Sequence, residues 1–347
     1  DRGLFSTWHF SMFNSLHNRL KRSSRRTRDP EKASFFVVPY DMGLDGFIKQ
    51  ADCSIPKWPL CTSKLTMGVM DMLRNSVHYN RYKGADHLLI WSLGEGHPWP
   101  GACKHLMERF CANCTLTSYW MHPRQRGHHF VSLPFPSSFH FHDALRTIPW
   151  TAGPAADRPI FSVYAGSVQT LTPDHTKVRR AVVEQCQKYS RCTHLDLGHT
   201  STDSRVMTAV STYKKSIFCL CPPGDDPARK ALMDMILMGC IPVLMHHSSL
   251  HNQYPYHLNE SIAQEISVFI PGVSVRFNSL NIFTDVLQKI SADVISRKQR
   301  AIERIAHRLQ YAVPPLDLLR DEGDETVWDS PVEDAVDIFM DAMVTRA

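Results

Sequence analysis

The residues best suited to chemistry lie between Ile217 and Val243. Ile217-Phe218-Cys219-Leu220-Cys221 is an apolar run that ends in Pro222-Pro223-Gly224 and continues as Asp225-Asp226-Pro227-Ala228-Arg229-Lys230. The run reads as a buried strand and the Pro-Pro-Gly as a turn. Beyond it the pattern predicts a helix over 227–238, with Asp226 as N-cap and Pro227 at the first helical position. A helix start presents free backbone N–H groups, and Arg229 and Lys230 add two cations beside them, a combination suited to a diphosphate. Asp225 and Asp226 oppose that anion unless capping occupies their side chains. At roughly 100° per residue, Ala231, Leu232, Met235, Ile236 and Met238 share the buried face, and Lys230 and Asp234 lie together along its border. Asp234 then has two readings, an acceptor for a ribose diol or half of a surface pair with Lys230 worth a few tenths of a kcal/mol. Spacing alone weighs them equally.

The elements that must hold this segment alternate. Residues 5–20 repeat apolar positions at three and four and predict a helix. Ala33 to Pro39, His87 to Trp91 and His129 to Pro134 predict strands, with helices near 63–77 and 101–110 between them. Pro149 to Pro159 holds little that can pack and predicts a linker, dividing the chain into domains 1–150 and 151–347. A second alternating series follows: strand 160–165, helix 175–188, strand 193–197, helix 203–213, strand 217–221, helix 227–238, then strands 241–245 and 266–270. Helices near 280–308 and 331–345 close the chain around an acidic, solvated loop at 321–325. Strands alternating with helices at this spacing predict α/β architecture, with two parallel sheets and a ligand in the cleft between the halves.

Composition narrows the function. The chain has 347 residues, 43% hydrophobic and 21% charged, so it is a folded protein long enough for two domains. Its 39 Lys and Arg against 34 Asp and Glu give a formal charge of +5, too small an excess for a duplex-binding protein but compatible with a small anionic ligand. Lys21, Arg22, Arg25, Arg26 and Arg28 cluster, which favours a solvated helix end over a site. No run of about 18 apolar residues occurs to cross a membrane, and the chain opens at Asp1 with no basic-then-apolar leader, so any signal or anchor is expected upstream.

Ten cysteines include close sets: Cys53 with Cys61, Cys103 with Cys111 and Cys114, and Cys186 with Cys192. Only Cys111 to Cys114 has zinc spacing, so disulfides in a secretory compartment are the better expectation. The sequons at Asn113 and Asn259 agree with it. Cys219, Cys221 and Cys240 flank buried strands and read as core residues. An oxidoreductase is disfavoured because no G-x-G-x-x-G follows any strand.

Phe218 to Val243 resembles the signature of the exostosin-like glycosyltransferases, family 47, and is most similar to their plant xyloglucan galactosyltransferase branch. The resemblance continues through His246, Gln253-Tyr254, His257-Leu258 and Ser267 to Pro271. Upstream it takes in His17-Asn18-Arg19, Asp29-Pro30, Val38-Pro39-Tyr40, Gly84 to His87, Tyr164-Ala165-Gly166, Val178-Arg179 and Glu184 to Cys186. It spans about residues 5–310.

What it implies is a GT-B fold of two Rossmann-like domains facing across a cleft, with inverting transfer from a UDP-α-sugar to a glycan acceptor. Galactose is the first choice of sugar. Gly166, Arg179, Gly224, Arg229 and Asp234 match its donor-binding positions, and Lys230, His246, Gln253 and Tyr254 join them as donor-side candidates. Two departures stand out. Val168 and Gln169 occupy positions where relatives often carry Arg, and Arg229-Lys230 replaces Arg-Arg, keeping the charge but losing one planar fork. An inactive partner subunit or glycan-binding module is therefore the alternative.

Inverting transfer requires a base for the acceptor hydroxyl and stabilisation of the departing UDP. The arginines, Lys230 and the helix start are expected to do the second without a metal, since no Asp-x-Asp triplet is present. For the base, Asp41, Asp86 and His87 in the N-terminal half are the candidates. The resemblance also implies a Golgi-lumen protein held by an anchor outside this chain; homo- or hetero-oligomers are left open.

Overall fold

The computed structural model describes residues 11–41, 44, 64–92, 113–120, 130–141, 157–198, 202–250, 253–315, 318 and 326–346. Several expectations lie outside these residues: the start of the first helix, the helix at 101–110, Cys53, Cys61, Cys103 and Cys111, nearly all of the linker, and the acidic stretch at 321–325.

The N-terminal half is a four-stranded parallel sheet, β1 (Phe36–Asp41), β2 (His87–Ile90), β3 (Thr115–Ser118) and β4 (Phe130–Ser132), in the order β1-β2-β3-β4. The β1–β2 register shifts between Val38 and Asp41. Pro39 lies within that interval and has no N–H to give the ladder. Helices α1 (Met12–Arg22), α2 (Lys64–Asn75) and α3 (Val77–Tyr82) belong to this half. β3 was not anticipated, because Thr115, Thr117 and Ser118 look solvent-facing in sequence. All three are buried, and Thr117 Oγ1 donates to the Leu89 carbonyl of β2 at 3.4 Å.

The C-terminal half is a five-stranded parallel sheet of β5 (Ile160–Ala165), β6 (Cys192–Leu195), β7 (Ser216–Cys221), β8 (Ile241–Leu244) and β9 (Val268–Phe269). Its spatial order is β6-β5-β7-β8-β9. α4 (Pro173–Lys188), α5 (Asp203–Lys214) and α6 (Lys230–Leu237) make the crossovers, and α7 (Glu260–Ile266), α8 (Gly272–Arg276), α9 (Ala292–Ile305) and α10 (Ala335–Arg346) follow. β7 and β8 are near-continuous apolar runs with Phe218, Leu220, Ile241 and Val243 fully buried, as a sheet covered on both faces demands. The expected strand at 266–270 is shorter. Asn259 caps α7 by accepting the Ile262 N–H at 2.9 Å, and that helix runs to Ile266.

Two successive parallel α/β sheets are the expected GT-B architecture, and they are tied together. Arg19 of α1 is fully buried against α10, with Nε 3.0 Å from Asp334, Nη2 2.9 Å from Asp337, and its guanidinium over Trp328. The Tyr254 hydroxyl donates to the Tyr119 carbonyl at 3.1 Å, and Tyr311 donates to Pro134 at 2.7 Å. Tyr119 and Pro134 follow β3 and β4, so the C-terminal ends of the first sheet's strands meet the second half.

Among the described residues two disulfides are formed, Cys186–Cys192 and Cys219–Cys240. The first agrees with the close spacing. The second corrects the reading of Cys219 and Cys240 as plain core thiols: β7 and β8 are adjacent, which brings Cys240, just before β8, within bonding distance of β7. Cys114 and Cys221 are buried thiols.

Candidate functional site at the sheet switch point

In the order β6-β5-β7-β8-β9 the chain leaves β5 for one neighbour, β6, and crosses back to place β7 on the other side. The strand order therefore reverses between β5 and β7, and doubly wound sheets bind ligands in the crevice beyond the C-terminal ends of such strands. Gly166 ends one of these strands and Pro222-Pro223-Gly224 ends the other, so both glycines of the sequence signature line the same crevice.

Two arginines fill the space those glycines leave. A Cβ on Gly224 would lie 3.1 Å from Arg179 Nη2 and 3.4 Å from Arg229 Cδ, and one on Gly166 would lie 3.3 Å from Arg229 Nη2. Arg179 reaches over from α4, donating from Nε to the Pro223 carbonyl at 2.8 Å and from Nη1 to the Ser167 carbonyl at 2.9 Å. Arg229 donates from Nη1 to the Pro222 carbonyl at 3.1 Å. Among the described residues neither guanidinium has a carboxylate ion pair. Burial, then the neighbouring Arg229, pulls the Arg179 guanidinium down to about 10, so both arginines remain cations at neutral pH. Two adjacent positive charges, held by carbonyl oxygens and, for Arg229, by the Cys221 thiol as well, make an arrangement suited to an anion.

The helix start differs from expectation. α6 begins at Lys230, and Arg229 is its N-cap residue, extended at φ −143° and with no side-chain cap. Asp226 therefore does not cap the helix. Its carbonyl accepts the Gly224 N–H at 2.9 Å, which closes the turn and delays the helix by three residues. Asp225 does not oppose the anion as an idle charge: Oδ1 accepts the Leu171 N–H at 2.7 Å, stitching the loop after β5 to the turn after β7.

His246 follows β8 and borders this turn. Its Nδ1 accepts the Ser248 N–H at 3.1 Å, which leaves the ring proton on Nε2 when neutral. Burial, then His175 and His247, lowers its pKa. The His246 ring stands edge-on to His175 at 5.9 Å, and His175 Nδ1 donates to the Gly224 carbonyl at 2.7 Å. His175 carried no sequence signal, since nothing marks one histidine among 19. Tyr164 was quoted only within the family match; its hydroxyl donates to the Ser167 carbonyl at 2.8 Å and sits beside Gly166.

Lys230 and Asp234 form an ion pair at 2.8 Å, and it is not a surface pair: the side chains are 16% and 6% exposed. Asp234 Oδ1 accepts the Ser138 N–H at 2.6 Å and Lys230 Nζ donates to Ser138 Oγ at 2.7 Å. Ser138 belongs to the N-terminal half, so the pair is a clamp between halves that spacing within one helix could not reveal. Gln253 and Tyr254 are fully buried, with Tyr254 braced on Tyr119, rather than open to the Gly166–Gly224 crevice.

The base candidates separate. Asp41 lies at the C-terminal end of β1, buried, with Oδ1 accepting the N–H groups of Leu44 and Ser92, each at 3.1 Å. Asp86 and His87 lie at the start of β2, the opposite end of that sheet from the loops meeting the second half. There Asp86 holds His87 Nδ1 at 2.7 Å, and the imidazole packs on Phe36 and Tyr79. That position sets the pair apart from the strand ends that meet the second half.

Fold and site together define a doubly wound α/β protein with Arg179 and Arg229 gathered at the switch point of its second sheet. The chain belongs to the exostosin GT47 domain family, whose profile matches residues 5–282, and thus to the glycosyltransferases. It is 26% identical over 352 residues to "Probable xyloglucan galactosyltransferase GT17" of Arabidopsis thaliana, covering 99% of this chain and 72% of that protein. It is 24% identical over 358 residues to "Xyloglucan-specific galacturonosyltransferase 1" of the same plant, covering 99% of this chain and 50% of that protein. Among solved structures, "the pneumococcal O-GlcNAc transferase GtfA in complex with UDP and GlcNAc" aligns with 69% of this chain and 56% of its own. The TM-score is 0.33 and the identity 9%, too distant to inform the site.

Proposed function

We propose that the protein transfers a sugar, galactose in the first instance, from a UDP-sugar to a glycan acceptor, with inversion to a β-linkage. The observation that carries this reading is the pair Arg179 and Arg229, two cations without a carboxylate partner among the described residues, packed on Gly166 and Gly224 at the switch point. They would hold the diphosphate and stabilise the charge that develops as UDP departs, the part a divalent ion plays elsewhere. We therefore infer a metal-independent reaction. His246 Nε2 is a donor within reach of the turn, and each Asp234 oxygen keeps a lone pair for a ribose hydroxyl.

Asp41 is our choice of base, because it lies at the same end of the parallel sheet as the loops after β3 and β4 that meet the second half. The two disulfides fit an oxidising compartment, and we propose the Golgi lumen, with an anchor outside this chain. No helix among the described residues is long and apolar enough to cross a membrane.

A catalytically inactive partner subunit is the second reading, motivated by Val168 and Gln169. Assay of UDP release from UDP-galactose, with and without a xyloglucan oligosaccharide, tests both. Turnover supports the enzyme; UDP binding with no turnover of UDP-galactose, UDP-galacturonate or UDP-xylose rejects it.

A further inference from the structure

The basic cluster near the N-terminus does more than end a helix. A cavity of about 610 Å³ opens between the C-terminal end of α1, the chain from Ser23 to Ser34, β1 as far as Pro39, and α10. Lys21, Arg25, Arg26, Arg28, Lys32 and His17 line it, and among the described residues no Asp or Glu does. Asp341 pairs with Arg25 from outside the lining, and Asp29 lies 3.6 Å from Lys32. Beneath the charges the walls are apolar, with Leu20, Phe36, Met340 and Val344, and the hydroxyls of Ser23, Thr27 and Ser34 sit between.

The walls are fixed without a ligand. Arg19 is buried in its ion pairs with Asp334 and Asp337, and Arg22 donates to the carbonyls of Leu318 and Thr326, so α1 is locked to the C-terminal segment that supplies the far wall. The cavity shares no residue with the crevice around Gly166 and Gly224. Its lining follows β1 from Phe36 to Pro39 and does not include Asp41.

Concentrated positive charge in a recess selects an anion, and the recess decides which kind. A membrane plane is met by cations on a protruding face, whereas a cavity admits a chain with discrete charges. Its volume is in the range that holds a small organic ligand, on the order of two or three sugar rings. A uronate ring carries its carboxylate on one edge, hydroxyls around it and a C–H face, matching the cations, hydroxyls and apolar wall.

We propose that this basic cavity is a second ligand site that binds an anionic, carboxylate-bearing oligosaccharide away from the donor pocket. The proposal takes from the glycosyltransferase reading only the choice of a glycan as ligand. His17 is a built-in reporter. Its ring is stacked on Phe13 at 5.4 Å, and burial, then Lys21 and Arg26, lowers its pKa. A carboxylate among those cations offsets them and raises it.

The test is calorimetric titration of the whole chain with hexagalacturonate, with cellohexaose as the neutral control and phosphatidylserine vesicles as the membrane control. The comparison variant is Arg28→Ser with Lys32→Ser, both exposed side chains. Hexagalacturonate is expected to bind wild type, roughly tenfold or more weakly in the double variant and progressively more weakly with salt. UDP should neither displace it nor bind the variant differently, and His17 should titrate higher in the complex by NMR. Equal binding of cellohexaose, equal affinity in the variant, displacement by UDP, or binding of vesicles with no binding of hexagalacturonate would each overturn it. If hexagalacturonate binds while UDP does not, the donor-site reading fails and this one stands.

Discussion

Asp234 accepts the backbone N–H of Ser138 at 2.6 Å, across 96 positions of sequence, while its other oxygen holds Lys230. The donor-side helix is thereby fastened to the loop after β4 of the opposite half. Removing the negative charge leaves Lys230 largely buried with no carboxylate and weakens the Ser138 contact. Asp234→Asn should lose about 3 kcal/mol in denaturant unfolding, and the Ser138 amide should exchange faster with solvent. A loss under about 0.5 kcal/mol would mean the pair behaves as an exposed one.

Gly224 has no room for a side chain because Arg179 occupies the space. A Cβ there meets the far end of that side chain at 3.1 Å, so Gly224→Ala should shift the guanidinium while leaving the backbone close to its place. UDP affinity is expected to fall by about 1–3 kcal/mol, the cost of one misplaced charged hydrogen bond, with little change in melting temperature. Unchanged UDP affinity in folded Gly224→Ala would remove Arg179 from the site.

The Cys219–Cys240 bond closes a loop spanning 21 positions that contains the Pro222–Arg229 turn and α6. Chain entropy assigns such a cross-link about 3 kcal/mol. The Cys219→Ser, Cys240→Ser double variant should lose that much stability by denaturant titration, and the folded fraction should bind UDP more weakly because the turn is less constrained. Stability equal to wild type would show that strand pairing alone fixes β7 against β8.

Acid should destabilise the fold through two buried imidazoles. His140 donates from Nδ1 to the Tyr311 carbonyl and His257 from Nε2 to the Ala335 carbonyl, each at 2.9 Å, and burial lowers both to about 4. In the unfolded chain they titrate near 6.5, so between about 4 and 6.5 the unfolded state binds more protons and stability falls as pH falls. Each ring contributes about 3 kcal/mol of that loss by the acid end of the window. Melting curves of wild type and His257→Gln across this range check it: the variant should lose less on acidification. Parallel curves would place the acid sensitivity elsewhere.

The second half was largely legible because its strands are continuous apolar runs and its crossover helices carry one apolar face each. β3 was not, since Thr115, Thr117 and Ser118 are buried by hydrogen bonding to a neighbouring strand that no local pattern announces. The same limit governs the site. Glycines and arginines of one signature could be read as an anion pocket, yet Ser138, Tyr119 and His175 enter through contacts between distant segments. Asp226 looked like an N-cap, but its own carbonyl closes the Gly224 turn, and the helix starts after Arg229. Cys219 and Cys240 looked like core residues because both are core residues; only strand order shows that they meet.

The central claim is that Arg179 and Arg229 bind the diphosphate of a UDP-sugar without a metal. Calorimetric titration of UDP in EDTA, into wild type and the Arg179→Ala, Arg229→Ala double variant, addresses it most directly, with melting curves to verify that both are folded. The account predicts binding to wild type that survives chelation, and a loss of about 100-fold or more in the double variant. A folded double variant that binds UDP like wild type, or wild-type binding abolished by EDTA, would contradict it.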